Sequence, residues 1–231
     1  MPGRPVPQAQ ASEVDVDALR RELDQSIEGE VRFDNVSRAL YSTDASVYQI
    51  QPIGVVVARS RDDIVRAVQL CHRFRCPLTM RGGGTSQAGQ AVGAGLQIDT
   101  SKHVNRVLEV NVEGRWARVE PGIVLDELNA VLKPHGLRFA PDISTASRAT
   151  VGGMIANNSS GARSIVYGKT IDHVLEIEAV LADGSTVHFR PLSATEVALV
   201  AAADSLEAAC YREVARVARA SAAEQPDVPS D

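Results

Sequence analysis

Apolar residues at Val16, Leu19, Leu23 and Ile27, with polar residues between them, have the three-to-four spacing of an amphipathic helix. The stretch VRFDNVSRALYSTDASVYQIQ (31–51) holds no sustained period and several turn formers, so it reads as irregular. After Pro52 the pattern sharpens. Ile53 to Ala58 (IGVVVA) is a β-branched run and predicts a strand. Ser60 and Asp63 supply an S-x-x-D helix start, and Ile64, Val65, Ala67, Val68, Cys71 and Phe74 make one apolar helix face. Pro77 stops that helix, and Leu78-Thr79-Met80 begins a second strand. Strand, helix and strand at these lengths predict a parallel βαβ unit, with Leu96-Gln97-Ile98-Asp99 as a third strand of its sheet.

The second half follows another rhythm. Val107 to Val112 and Arg115 to Val119 alternate around Glu113-Gly114, which predicts a hairpin. Val124, Leu125, Leu128, Val131 and Leu132 mark a helix that stops at Pro134-His135-Gly136. A second strand–turn–strand runs from Val174 through Asp183-Gly184 to Phe189, and Leu206, Cys210, Val214 and Val217 give a last helix. There is no internal repeat. The expected class is α+β: a small parallel unit followed by a larger, mainly antiparallel one. Residues 1–13 carry three prolines and read as a disordered leader.

Composition narrows the classes without choosing one. The 231 residues are 44% apolar and 23% charged, an ordinary globular balance. A net charge of −5 and an aromatic content of 4% argue against a nucleic-acid partner, which rewards basic surfaces and stacking platforms. Cys71, Cys76 and Cys210 have no C-x-x-C spacing and read as reduced thiols of a cytosolic protein. No apolar run reaches a membrane span of ~20 residues, and the N-terminus has no apolar core of a secretory signal. The expected location is cytoplasmic, with peripheral association at the inner face of the membrane left open. The Asn-x-Ser triplets at Asn35, Asn157 and Asn158 are accordingly read as unglycosylated.

Two stretches carry chemistry. RGGGTSQAGQA (81–91) follows a predicted strand directly. Its glycines permit left-handed turns and expose successive backbone N–H groups, the makings of an anion nest. Thr85 and Ser86 add hydroxyls, and Arg81 adds positive charge. A flexible surface loop is the alternative reading of this stretch taken alone. The Rossmann spacing G-x-G-x-x-G fails at Gln87, and a P-loop ending in Gly168-Lys169-Thr170 would need glycine where Arg163 stands. In the second stretch, PDISTASRATVGGMIANNSSG (141–161), Thr150 to Ala156 predicts a short helix of small residues that admits a flat ligand closely. A small-residue packing helix is the alternative there.

Taken together and in order, these pieces resemble the FAD-binding PCMH-type domain of the vanillyl-alcohol-oxidase superfamily. The branch they look most similar to is that of FAD-linked D-lactate, glycolate and D-2-hydroxyglutarate dehydrogenases. The resemblance is carried by YSTDASVY (41–48), RGGGTSQAG (81–89), EPG (120–122), PDISTASRATVGGMIANNSSGARSIVYG (141–168) and VLADG (180–184), and covers roughly residues 35–215. It implies two α/β subdomains, 35–101 and 102–192, with FAD between them, preceded by a leader and short helix (1–34). A helical tail (193–231) would lead to a cap domain.

The resemblance also assigns residues. Arg81, Gly82, Gly83, Gly84, Thr85, Ser86, Gln87 and Gly89 would hold the pyrophosphate. Pro141 and Asp142 would sit beside the flavin, and Thr150, Gly152, Gly153, Asn157, Ser160 and Gly161 would line the ribityl chain and isoalloxazine. The backbone at Ile171 and Val174 would approach the adenine half. Relatives that attach FAD covalently do so through a histidine directly after the glycines; Thr85 stands there, which implies non-covalent FAD. The catalytic residues of such enzymes lie in the cap, and larger relatives add an iron–sulfur module, so this stretch is expected to bind FAD with little turnover of a D-2-hydroxy acid. His72, His103, His135, His173 and His188 lack metal-ligand spacing, and no catalytic residue or metal site is assigned. Three other readings stay open: a flavin-binding electron-transfer or non-catalytic module, a relative of UDP-N-acetylmuramate reductase, and a regulatory module that binds another diphosphate.

Overall fold

A computed structural model describes residues 14–221. Helix α1 (Val16–Ser26) is capped by Asp15, whose carboxylate accepts the Ala18 amide, and Leu19 and Leu23 on its apolar face are fully buried. Strand β1 (Glu30–Arg32) and helix α2 (Asn35–Leu40, capped by Asp34) follow. Both fall within or against the stretch read as irregular, because a three-residue strand and a six-residue helix are too short to show a period.

Strand β2 (Gly54–Val57), helix α3 (Arg61–Arg73), strand β3 (Leu78–Arg81) and strand β4 (Leu96–Asp99) realise the strand–helix–strand pattern. The sheet order is β1-β2-β4-β3, with β2 and β3 each parallel to β4 and β1 antiparallel to β2. The sheet is therefore mixed rather than wholly parallel, and β4 lies between the two strands of the predicted βαβ unit. Every residue of β2 and β4 is buried, which is why both lack the alternation of a one-sided strand. Helix α3 starts where Ser60 accepts the Asp63 amide. The buried Asp63 carboxylate points elsewhere, accepting the amides of Glu28 (2.9 Å), Gly29 (3.0 Å) and Arg59 (2.8 Å). It ties the loop after α1 to the start of α3.

The predicted hairpin is β5 (Val107–Asn111) against β6 (Trp116–Val119), antiparallel, with a register shift between Val107 and Glu109. Helix α4 (Leu125–Leu132) tightens into a 3-10 turn over Lys133–His135 and ends on Gly136 at φ 67°, as its sequence predicts. Then come α5 (Val151–Asn157), α6 (Ser164–Tyr167) and a 3-10 turn, Thr170–His173. Ile123, Leu128, Leu132 and Val151 form a core over which Val107, Val110, Ala117 and Val119 of the hairpin pack.

The chain divides into two compact units, the first ending at Val174 and the second starting at Leu175. This boundary falls inside the 102–192 stretch of the sequence reading. The second unit holds the antiparallel pair β7 (Ile177–Val180) and β8 (Thr186–Phe189), then α7 (Ala194–Ala201) packed on α8 (Leu206–Ser221). Ser193 and Glu196 form the capping box that starts α7. The α+β class holds, with one mixed and two antiparallel sheets among the described residues. The leader assigned to 1–13 lies outside the described residues.

Candidate cofactor-binding site

Strand β3 ends at Arg81 and the chain leaves it as Gly82-Gly83-Gly84. A Cβ on Gly82 would stand 2.2 Å from Thr150 Oγ1, and one on Gly83 would stand 2.1 Å from the Arg148 carbonyl oxygen. No side chain fits at either place. The bare main chain of this loop therefore lies on the segment that opens α5, and the two stretches singled out in the sequence are in direct contact. Thr150 is buried, caps α5 through the Gly153 amide (3.4 Å), and bridges to Val124.

Among the described residues, none of the amides from Gly82 to Gln87 donates a hydrogen bond to another protein group. Gly83 and Gln87 are exposed and the other residues of the run half-buried, so water or a ligand can take these donors. Gly84 takes the left-handed conformation at φ 64°, and its carbonyl accepts the Ala45 amide at 3.0 Å. Thr85 is half-buried and Gln87 exposed. The Ser86 hydroxyl donates to Gln90 Oε1 and accepts the Gln90 amide. Gly89, at φ 78°, lies under the Tyr48 ring. The Arg81 guanidinium donates from Nη1 to the Ala91 carbonyl (3.0 Å), folded back over its own loop.

The second stretch forms a wall. Pro141 is buried, and the Gly161 backbone presses on the next residue, a Cβ there falling 1.5 Å from the Asp142 carbonyl oxygen. The Asp142 carboxylate accepts Arg163 Nε at 2.6 Å, and that hydrogen bond holds the carboxyl below the usual carboxylate range. Gly152 packs on Pro121, and Asn157 Nδ2 donates to the Gly153 carbonyl at 3.0 Å. Asn158 ends α5 in the left-handed conformation, with its Oδ1 accepting the Ile171 amide (3.0 Å). Ser160 is exposed. The Val174 amide donates to the Ile171 carbonyl at 3.4 Å. The amides of Ile171 and Val174 are thus both engaged inside the protein.

Tyr41, Asp44, Tyr48, Pro121 and Arg148 also touch these loops, and residue-by-residue reading gave them no role. One signal was present: Asp44 followed two positions later by Ser46 is Asx-turn spacing, and Asp44 Oδ1 does accept the Ser46 amide at 2.8 Å. Of the histidines, His173 Nε2 lies 2.6 Å from the Tyr167 carbonyl and His188 pairs with Glu176. Among the described residues, no group of His, Cys, Asp or Glu could hold a metal ion. Cys71, Cys76 and Cys210 are free thiols.

A glycine loop whose amides have no protein partner, pressed against the start of a small-residue helix, is an arrangement that can receive an anionic ligand. The FAD binding domain family matches residues 52–190, and the chain belongs to that family. The chain is 44% identical over 200 residues to a D-2-hydroxyglutarate dehydrogenase of Pseudomonas putida, covering 85% of this chain and 20% of that protein. It is 35% identical over 176 residues to the glycolate oxidase subunit GlcD of Bacillus subtilis, covering 74% of this chain and 37% of that one. It thus spans about a fifth of the length of the D-2-hydroxyglutarate dehydrogenases it matches. An alkyldihydroxyacetonephosphate synthase structure shares the fold at a TM-score of 0.69 and 23% identity, over 78% of this chain and 37% of that one. Among the described residues no helix is long and apolar enough to cross a membrane.

Proposed function

We propose that this chain is the non-covalent FAD-binding part of an oxidoreductase that oxidises a D-2-hydroxy acid such as 2-hydroxyglutarate, glycolate or lactate. The observation that carries the FAD reading is the run of unpartnered amides from Gly82 to Gln87, seated on the start of α5. Those amides, with the Thr85 and Ser86 hydroxyls, take the diphosphate; hydrogen bonds to a charged oxygen are each worth ~1.5–3 kcal/mol. The diphosphate loop comes from the 35–101 half. Pro141, Asp142 and the segment from Thr150 to Gly161 in the following half form the flavin wall, where small residues and close main-chain contacts leave room for a flat ring. Ile171, whose side chain is exposed, and Val174 border the adenine end. When bound, FAD supplies the hydride acceptor. The residues described here bind and orient it and bring no acid–base group of their own. What supports a hydroxy-acid substrate is the likeness to the D-2-hydroxyglutarate dehydrogenases and the glycolate oxidase subunit.

The test is a FAD titration of the purified chain. One equivalent of FAD is expected to bind with a shifted flavin spectrum and to stay in the supernatant after acid precipitation. Material that remains colourless in excess FAD would overturn the reading, and flavin that pellets with the denatured protein would overturn the non-covalent part. A D-2-hydroxy-acid screen on the full-length gene product, with a dye as electron acceptor, tests the substrate class. No flavin reduction by any such acid would leave the electron-transfer reading in its place.

A further inference from the structure

We infer that Asp44 and Arg81 are positioning residues: they grip Ala91 from its two sides and hold the glycine loop in its ligand-ready shape, and neither contacts the diphosphate. The inference rests on the FAD reading for what the loop is for, and on geometry alone for the grip. Arg81 Nη1 donates to the Ala91 carbonyl at 3.0 Å, and the Ala91 amide donates to Asp44 Oδ2 at 3.3 Å. One residue at the far end of the loop is thereby held by a cation on its carbonyl and an anion on its amide. The neighbouring Ala45 amide holds the Gly84 carbonyl, so the segment 44–45 braces the loop at its left-handed turn as well as at its end.

The Arg81 side chain has little freedom to do anything else. Its guanidinium carbon lies 5.6 Å from the Tyr41 ring centroid, and a Cβ on Gly84 would meet Arg81 Nη2 at 2.4 Å. The guanidinium lies against the Gly84 turn, whose amides have no protein partner. Tyr41 is in turn fixed by donating its hydroxyl to Asp99 at the end of β4. Burial pulls the Asp44 carboxyl upward, yet bonds from Ser46 and the Ala91 amide, with the Arg81 charge, hold it below the usual carboxylate range. Asp44 is therefore ionised at neutral pH and ready to accept. This accounts for YSTDASVY, which the sequence singles out and the cofactor contacts do not absorb. It also reassigns Arg81 from phosphate partner to loop staple.

The experiment is amide hydrogen exchange on the FAD-free chain, read at Gln90, Ala91 and Val92, the amides of this loop that donate within the protein, for wild type, Asp44→Ala, Asp44→Asn, Arg81→Ala and Arg81→Lys. Far-UV circular dichroism checks that each folds. A lost bond to a charged group should raise local exchange roughly ten- to hundredfold in Asp44→Ala and Arg81→Ala. Asp44→Asn, which keeps an acceptor oxygen, should recover most of the protection. FAD dissociation constants should rise by a similar factor. Arg81→Lys separates the roles: a lysine keeps the charge a phosphate needs and loses the fork that reaches Ala91, so a staple is not rescued by it. Unchanged exchange in both alanine variants would overturn the inference. So would Arg81→Lys binding FAD like wild type while its loop exchanges fast. The exchange measurement needs no FAD, so wild-type protein that fails to bind FAD would sink the function and leave the grip to be judged by itself.

Discussion

Gly83 shows how much a single missing side chain can decide. Its main chain touches the Arg148 carbonyl, which is backbone and cannot rotate away, whereas the nearest atom to a Cβ on Gly82 is a threonine side-chain oxygen. Gly83→Ala must therefore push the loop off the segment before α5, at a cost of ~1–3 kcal/mol for overpacking. We expect Gly83→Ala to weaken FAD binding ~5- to 150-fold, and more than Gly82→Ala does, in the FAD titration. The glycine run was readable as a candidate anion nest because exposed amides and absent Cβ atoms are properties of the residues themselves. The partner atoms at Arg148 and Thr150 were not readable, because nothing local to residues 81–89 names them. In the same way, Arg81 was readable as a charge near the loop and not as a group turned inward onto Ala91.

Among the elements, the pair β2 and β4 and the helix α3 were written plainly in β-branched runs and an apolar helix face. Their joint with α1 was not. Asp63 reads as half of a helix start, yet its carboxylate accepts the amides of Glu28, Gly29 and Arg59 and is 2% exposed. Removing it strands three donors at once. Asp63→Ala is expected to destabilise the first unit by about 2–4 kcal/mol, visible as a lower urea midpoint with an unchanged slope. Ser60→Ala, which removes only the cap bond to the Asp63 amide, should cost about 1 kcal/mol. Among the elements missed by pattern, β1 and α2 are each shorter than two helical turns. Their positions are set by pairing with β2 and by the Asp34 cap rather than by any periodicity.

On the scale of the whole molecule, every residue assigned to FAD lies in the unit that ends at Val174. A ligand that binds only the folded form stabilises it by RT ln(1 + [L]/Kd), about 2.7 kcal/mol at a hundredfold excess over Kd. FAD at that excess should raise the thermal midpoint of the unit and slow amide exchange in β2 and β4. ADP, which carries the diphosphate without the flavin, should give a smaller shift. An equal shift with ADP would place the binding energy in the glycine loop and the adenine end, with none from the flavin wall.

Short-range chemistry settled the strands other than β1, most of the helices and their stops, because each depends on residues a few positions apart. The order β1-β2-β4-β3 came only from the packed molecule, since strands buried on both faces do not say which neighbour they take. The contact of Gly82 and Gly83 with Thr150 and Arg148, the reach of Asp63 to Glu28, and the grip of Asp44 and Arg81 on Ala91 came from it too. Each joins groups distant along the chain or turns a charge inward, and such partnerships leave no periodic trace in the order of residues.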